Sequence, residues 1–438
     1  MSIFRSERNS AGLLLAAAAL GLILANTQAG AGLLEASSAR IGFPAIGLDL
    51  STGHWISDGL LVIFFFIVAV ELKFELFAGS LNSPAKAILP AIAALGGVAA
   101  PAGIYLLFNA GGPYLGGWPI PTATDIAFAL GVLAIFGRAL PTKVRVFLLA
   151  LAVLDDLVAI LLIAFFFTTS LNLLALAGAV VGVAVFGLLS RVLTSAHWSL
   201  GSRTGVRATL PASTAHRSYG SARTGGAGPA PTKLRHVGST RLRRSLICAV
   251  MVIVAVLTWD AMYQSGVHAT IAGVALGLVM ARKPGASAAH ALQPWSNAVV
   301  LPLFAFSAAL VAIPSVGITE LSPAFWGILM ALPVGKLIGI TLAGWIGART
   351  VGRSSDASSL LTVRDLVTVG GLGGIGFTVS LLMNELAFAG VHEVADEGTI
   401  AVLLGSGVSI VAAAVLVSMR SRAYERLREA EGIPSPVE

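Results

Sequence analysis

Apolar residues in this chain run in long blocks, not in the narrow stripes of a soluble helix or the alternation of a half-buried strand. Blocks of roughly 17 to 25 residues are long enough to cross the hydrocarbon layer of a bilayer as helices. They begin near Ala11, Ser57, Ile88, Trp118, Val144, Leu173, Ser245, Gly266, Ser296, Ala324, Leu366 and Thr399, which predicts about twelve spans. The first block follows Arg5 and Arg8 as a signal peptide would, but with so many blocks behind it an uncleaved first helix is expected. Two segments lack the pattern. Residues 195–244 are rich in Ser, Thr, Gly, Arg and Pro and contain no acid, which predicts a disordered basic loop. Residues 421–438 read as a short charged tail, with a helical extension at its start and Pro-Ser-Pro near its end. The expected organisation is therefore an all-α membrane domain over residues 1–420, with the loop inside it and the tail after it.

Composition agrees with this picture. Hydrophobic residues make up 56% of the chain and charged residues 11%, with a mean hydropathy of +0.88. A soluble domain covers itself with about 25% charged residues, so most of this surface must face lipid. The single cysteine, Cys248, excludes a disulfide framework and a cysteine-ligated metal cluster. The net charge of +7 is a topology signal. With twelve spans and both termini in the cytoplasm, Arg40 is the only Lys or Arg in an outer loop, while Lys73 sits at a helix end and Lys336 inside a span. This predicts a multi-pass inner-membrane protein that meets lipid and binds no nucleic acid.

Ionisable groups inside a span cost roughly 2.5 to 3.5 kcal/mol each on insertion scales and need a reason to be there. Asp155 and Asp156 lie in the middle of VFLLALAVLDDLVAILLIAFFF. Successive helical residues point about 100° apart, so one carboxylate can face a cavity while the other pairs with a fixed charge. Burial favours the neutral form of a carboxyl group, and carboxylate and carbonyl oxygens are the ligands of hard cations. A proton and a sodium ion can thus compete for one group, which is already an exchange mechanism. Lys336, in ALPVGKLIGITLAGW, is the only lysine or arginine deep within a span. It requires a carboxylate partner, for which Asp155 is the natural candidate.

Two spans also carry helix breakers. In WPIPTATDIAFALGVLAIF, Pro119 and Pro121 interrupt hydrogen bonding, and Thr122, Thr124 and Asp125 can cap a new helix from about residue 125. Asp125 is placed to offset the positive end of that helix. In VTVGGLGGIGFTVSLLM, five glycines from Gly370 to Gly376 weaken the helix by roughly 1 kcal/mol each. Interrupted spans in the two halves of a transporter mark a midplane binding site. Elsewhere, Glu71, Lys73 and Glu75 lie at a cytoplasmic helix end, either as a solvated face or at an ion funnel. Asp58 is expected to be hydrated near the outer surface, and His268 to be a hydrogen-bonded packing residue.

The ordered motifs VELKFEL, IPTATDIAFALG, LALAVLDDLVAI, SGVHATIAG, LPLFAF, VGKLIGI and GGIGFT resemble the NhaA family of sodium/proton antiporters across roughly residues 5–420. The resemblance implies inverted-topology repeats with two discontinuous helices crossing at mid-membrane. It implies electrogenic exchange of Na+ or Li+ for H+, for sodium and pH homeostasis, by a homodimer without a cofactor. Asp156 and Asp155 would bind the cation and carry protons, with Thr124 a further Na+ ligand. Lys336 would be the charge partner, Asp125 would balance helix ends beside Thr124, and Glu71 would lie in the cytoplasmic funnel. Ala288, Ala289, Ser307, Ser57 and Phe74 depart from the family pattern, in regions tied to pH response. A sodium-coupled solute symporter of related architecture and a non-transporting sensor are the alternatives. No soluble-enzyme motif is present.

Overall fold

The computed structural model describes residues 7–43, 48–79, 81–168, 171–201, 237–314, 317–351 and 361–430. Its first helix, α1 (Glu7–Ala25), turns back sharply into α2 (Gly30–Ser38). A hairpin of two four-residue strands follows, β1 (Arg40–Phe43) antiparallel to β2 (Leu48–Ser51), with Arg40 opposite Ser51. This hairpin was not expected from the sequence. It is held across by Arg40 to Asp49 (3.2 Å) and docked by Trp55 Nε1–H on the Ile41 carbonyl (2.7 Å). The short α3 (Thr52–His54) and a six-residue π turn (Trp55–Leu60) lead into α4 (Leu61–Phe77).

The remaining elements are helical. They are α5 (Pro84–Phe108), α6 (Ile126–Phe136), α7 (Thr142–Phe166), α8 (Leu173–Gly201), α9 (Val237–Gln264), α10 (Thr270–Val279), α11 (Arg282–Trp295) and α12 (Leu301–Ala308). Then α13 (Pro323–Met330) passes through a π turn (Ala331–Gly335) into α14 (Lys336–Val351), followed by α15 (Val363–Gly373), α16 (Phe377–Ala387) and α17 (His392–Ala430). Among the described residues, seven helices are long and apolar enough to cross a membrane, or nine if each of two bent pairs counts once. The expected start at Ser57 falls in the π turn that runs into the 17 residues of α4, while those at Gly266 and Ser296 lead to α10 and α12, whose 10 and 8 residues are shorter than a full span. The chain is an all-α, multi-pass membrane protein.

The basic segment is narrower than its composition implies. Helix α8 runs on to Gly201 and α9 begins at Val237, so both ends of the 195–244 stretch are helical; residues 202–236 lie outside the described residues. The tail is likewise continuous with α17 as far as Ala430. Its start is clamped to α15: Arg420 donates to Asp365 (2.8 Å), Tyr424 donates to the same carboxylate, and Thr362 and Asp365 cap each other. The N-terminal end of α15 is thereby tied to α17.

Close contact between α5 and α14 sets the position of Lys336. A Cβ on Gly339 would lie 2.1 Å from the Gly96 carbonyl, and one on Gly335 2.5 Å from Pro101 Cα. Small residues at such a crossing let two backbones approach as membrane helices commonly do. Gly339→Val should therefore force the helices apart and lower stability by about 1 to 3 kcal/mol or more. A lower melting temperature of the purified variant in detergent checks this, with Gly407→Val, whose Cβ would meet nothing, as the neutral control.

Candidate functional site

The site forms where two breaks in the backbone cross. After the single turn Ile120–Thr122 the chain is extended at Ala123, and α6 starts behind Asp125, its N-cap. On the other side α15 ends at Gly373 and α16 starts at Phe377, with a bend of 51° between them. The interrupted segments satisfy one another. Asp125 N–H donates to the Ile375 carbonyl (2.6 Å), and Thr124 Oγ1 lies 2.9 Å from the Gly373 carbonyl. Backbone groups freed by a break in a membrane helix need such partners.

One carboxylate caps both new helices. Asp125 Oδ1 accepts from Phe128 N–H (3.2 Å), and Oδ2 accepts from Thr378 N–H (3.2 Å) and Thr378 Oγ1–H (2.6 Å). The positive ends of α6 and α16 thus converge on a single negative charge. The role foreseen for Asp125 at one helix end extends to two, and Thr378 was missed although it stands in the GGIGFT motif.

Lys336 Nζ lies 2.7 Å from Asp155 Oδ2 and 3.0 Å from Thr124 Oγ1, with Asp155 and Lys336 almost wholly buried. Thr124 Oγ1 is also 2.7 Å from Asp155 Oδ2, so its one proton serves either Asp155 or the Gly373 carbonyl. Asp155 Oδ1 is buried with no hydrogen-bond partner among the described residues. Such a pair neutralises two charges that would each be costly alone.

Asp156 points elsewhere. It is 6% exposed and lines a cavity of about 430 Å³ together with Thr124, Asp125 and Thr378. No described side chain or backbone group hydrogen-bonds to it. Exposed Glu71 and His290 mark the open end of the cavity, and the buried aspartates mark its closed end. Gln293 reaches Glu71 at 3.4 Å. Of the three residues expected to ligate Na+, Asp156 and Thr124 line the cavity, whereas Asp155 is turned toward Lys336 and does not. Carboxylate and hydroxyl oxygens at the closed end suit a proton or a hard monovalent cation.

Lys73 and Asp58 make contacts that their sequence reading did not foresee, and a third residue had no reading. Lys73 does not line the cavity; its ammonium donates to the Leu278 and Met280 carbonyls (2.6 and 2.8 Å) at the end of α10. The Asp58 side chain is largely buried, with Oδ1 3.3 Å from His268 Nε2, where hydration was expected. Glu385, an acid within a span, was overlooked; the rule that flagged Asp155 would have found it.

The sequence model of one family, described as Na+/H+ antiporter 1, matches residues 1–210 and 234–417. The chain is 58% identical over 425 residues to "Na(+)/H(+) antiporter NhaA 2" of Clavibacter michiganensis subsp. michiganensis, covering 97% of this chain and 93% of that protein. It is 43% identical to "Na(+)/H(+) antiporter NhaA" of Tropheryma whipplei, covering 95% of each chain. It is 41% identical to the protein so named in Streptomyces antibioticus, covering 99% of this chain and 83% of the relative.

Removing one partner of the buried pair should be worse than removing both. Lys336→Met strands Asp155 and should cost about 3 to 5 kcal/mol, whereas Asp155→Asn with Lys336→Met should recover most of that loss. Melting temperatures of the singles and the double decide; additive losses would mean the two side chains do not act as a pair.

Proposed function

This chain belongs to the Na+/H+ antiporter family, and on that premise we propose that Asp156 is the carboxylate at which Na+ and H+ compete. The protein is a Na+/H+ exchange transporter, and symport of an organic solute is not favoured for a chain similar to antiporters along nearly its whole length. The observation that carries the site assignment is the contrast between neighbours. Asp155 is already compensated by Lys336, and Asp125 by two helix ends, while Asp156 has cavity space before it and no protein partner among the described residues.

The exchange then follows from occupancy. Protonated Asp156 is neutral, and so is Asp156 with Na+ bound; the bare carboxylate facing a dry interior is the costly state. Crossing is therefore favoured with either occupant and disfavoured with neither, which couples the two flows. Thr124 and Thr378 supply hydroxyl oxygens beside it, and Asp155 could join as a ligand only by leaving Lys336. Exchange of one proton for one Na+ would move no net charge. The electrogenic exchange implied by the resemblance needs a second proton, and the Asp155–Lys336–Thr124 group is where we assign it.

Glu71 and His290 line the open end, read as the cytoplasmic funnel of an inner-membrane protein with both termini inside, in line with its Lys and Arg distribution. Li+ as a second cation, a homodimer and lipid contacts complete the proposal. The reaction moves ions and changes no covalent bond, so the protein is taken as a transporter and not an enzyme. Sodium and pH homeostasis is the role such exchange serves.

Asp156→Asn keeps the shape of the side chain but removes its charge and proton. Inside-out vesicles carrying the folded variant should release no protons when Na+ is added, whereas wild type should; near-normal release by the variant would refute the assignment.

Competition also fixes a sign. Lowering the pH fills Asp156 with protons, so the apparent KM for Na+ should rise, approaching about tenfold per pH unit when one proton opposes one Na+. Saturating Na+ should restore the rate. Rates measured across pH and Na+ concentration test this, and a pH profile that saturating Na+ does not move would place the pH response in another group.

A further inference from the structure

The cavity reaches Phe64 on α4 and Thr378 and Val379 on α16, and none of its lining comes from residues 52–60 or 380–387. Those two segments continue the helical paths of α4 and α16 beyond the lining, with Ser57 and Glu385 about two helical turns further on. They are joined there. Ser57, 3% exposed, donates to Glu385 Oε1 (3.3 Å) across 328 positions of sequence. Beside it, Asp58 Oδ1 is 3.3 Å from His268 Nε2.

His268 Nδ1 accepts the Thr270 backbone N–H (3.3 Å), and its Nε2 lies toward Asp58 Oδ1 at 3.3 Å. Trp259 Nε1–H meanwhile donates to the Asp58 carbonyl (2.8 Å) and stacks on Trp55 at 5.6 Å. Ser57 and Asp58 are thus anchored to α9 and to the turn before α10. Helix α10 is in turn pressed onto α4, where a Cβ on Gly273 would meet the Val62 carbonyl at 2.3 Å. Glu385 alone in this group belongs to α16, the half-helix whose other end carries Thr378 against Asp125.

Both tied elements depart locally from regular α-helix. Ser57 and Asp58 sit in the π turn Trp55–Leu60, a form that occurs mostly as single turns at functional positions. Helix α16 hangs from the break at residues 374–376.

We propose that the Ser57–Glu385 hydrogen bond is a latch that seals the face of the protein opposite the cavity mouth. It holds the outer end of α16 to the α4–α10 unit while the site opens the other way, and it breaks when the site turns. The latch acts through the bond from the Ser57 hydroxyl to a side-chain oxygen at position 385, not through the charge of Glu385, so glutamine at that position keeps it. This inference rests on the reading of the site as one that faces each side in turn.

Accessibility from the two faces tests it without requiring transport. In a Cys248→Ser background, Val379→Cys places a thiol on the cavity wall. In vesicles of known orientation, a membrane-impermeant maleimide should label it from the open face and hardly at all from the sealed face. Adding Ser57→Ala or Glu385→Ala should raise sealed-face labelling about tenfold or more, as the equilibrium shifts toward the other conformation. Glu385→Gln should stay near the parent level. Ser57→Ala removes one oxygen only, and it keeps the test open if Glu385→Ala does not fold. Unchanged sealed-face labelling in the alanine variants overturns the latch, as does a Glu385→Gln variant that opens as fully as Glu385→Ala. Neither result touches the exchange reading, which fails only if wild-type vesicles do not exchange Na+ for H+.

Discussion

The hydrogen bond from Asp125 N–H to the Ile375 carbonyl joins two backbone segments that could not exist separately in a membrane. Each is a stretch of unwound chain, and unpaired backbone groups within the bilayer cost several kcal/mol apiece. Crossing resolves both problems at once. Thr124 and Asp125 reach the groups freed beyond Gly373, and the Asp125 carboxylate takes the amide ends of α6 and α16. The rest of the site is arranged around this mutual repair. Helix α7 must pass close enough to bring Asp155 to Thr124, and α14 must pack closely on α5 through glycines so that Lys336 reaches the same point.

Charge follows the same economy. Three aspartates meet near the crossing, and two are compensated by fixed protein groups, one by an ammonium and one by two helix ends. The third is left to be compensated by whatever enters the cavity. Specific exchange does not then require a large binding pocket. On the proposed reading it requires one carboxylate left without a protein partner, in a cavity whose open end is marked by Glu71 and His290.

Much of this was legible in the chain because membranes penalise the informative residues most. Asp155, Asp156 and Lys336 stand out in apolar runs, and the Pro and Gly clusters announce the two breaks. The pairing of Lys336 with Asp155 followed from the cost of an isolated charge. What escaped depended on contacts distant in sequence. Nothing local to GFTVS says that Thr378 will share a carboxylate with α6, and nothing near Asp58 says that His268 will be its partner in place of water. The β1–β2 hairpin was hidden because four-residue strands leave too short a pattern to read. Glu385 was hidden by no such difficulty; its signal was the same as that of Asp155, and it lay closer to the membrane surface. Helix ends were least legible of all, as the extensions of α8 and α9 into the basic segment and of α17 into the tail illustrate.

The central claim is that Na+ and H+ occupy one carboxylate in turn, so binding one must expel the other. Calorimetric titration of the purified protein with Na+, repeated in buffers of different ionisation heat, counts the protons released on binding. About one proton or more per Na+ bound, falling toward zero at a pH where the carboxylate is already bare, is the expected result. A binding heat that is the same in every buffer at all pH values would mean that Na+ binds without displacing a proton, and the shared-site account would be wrong.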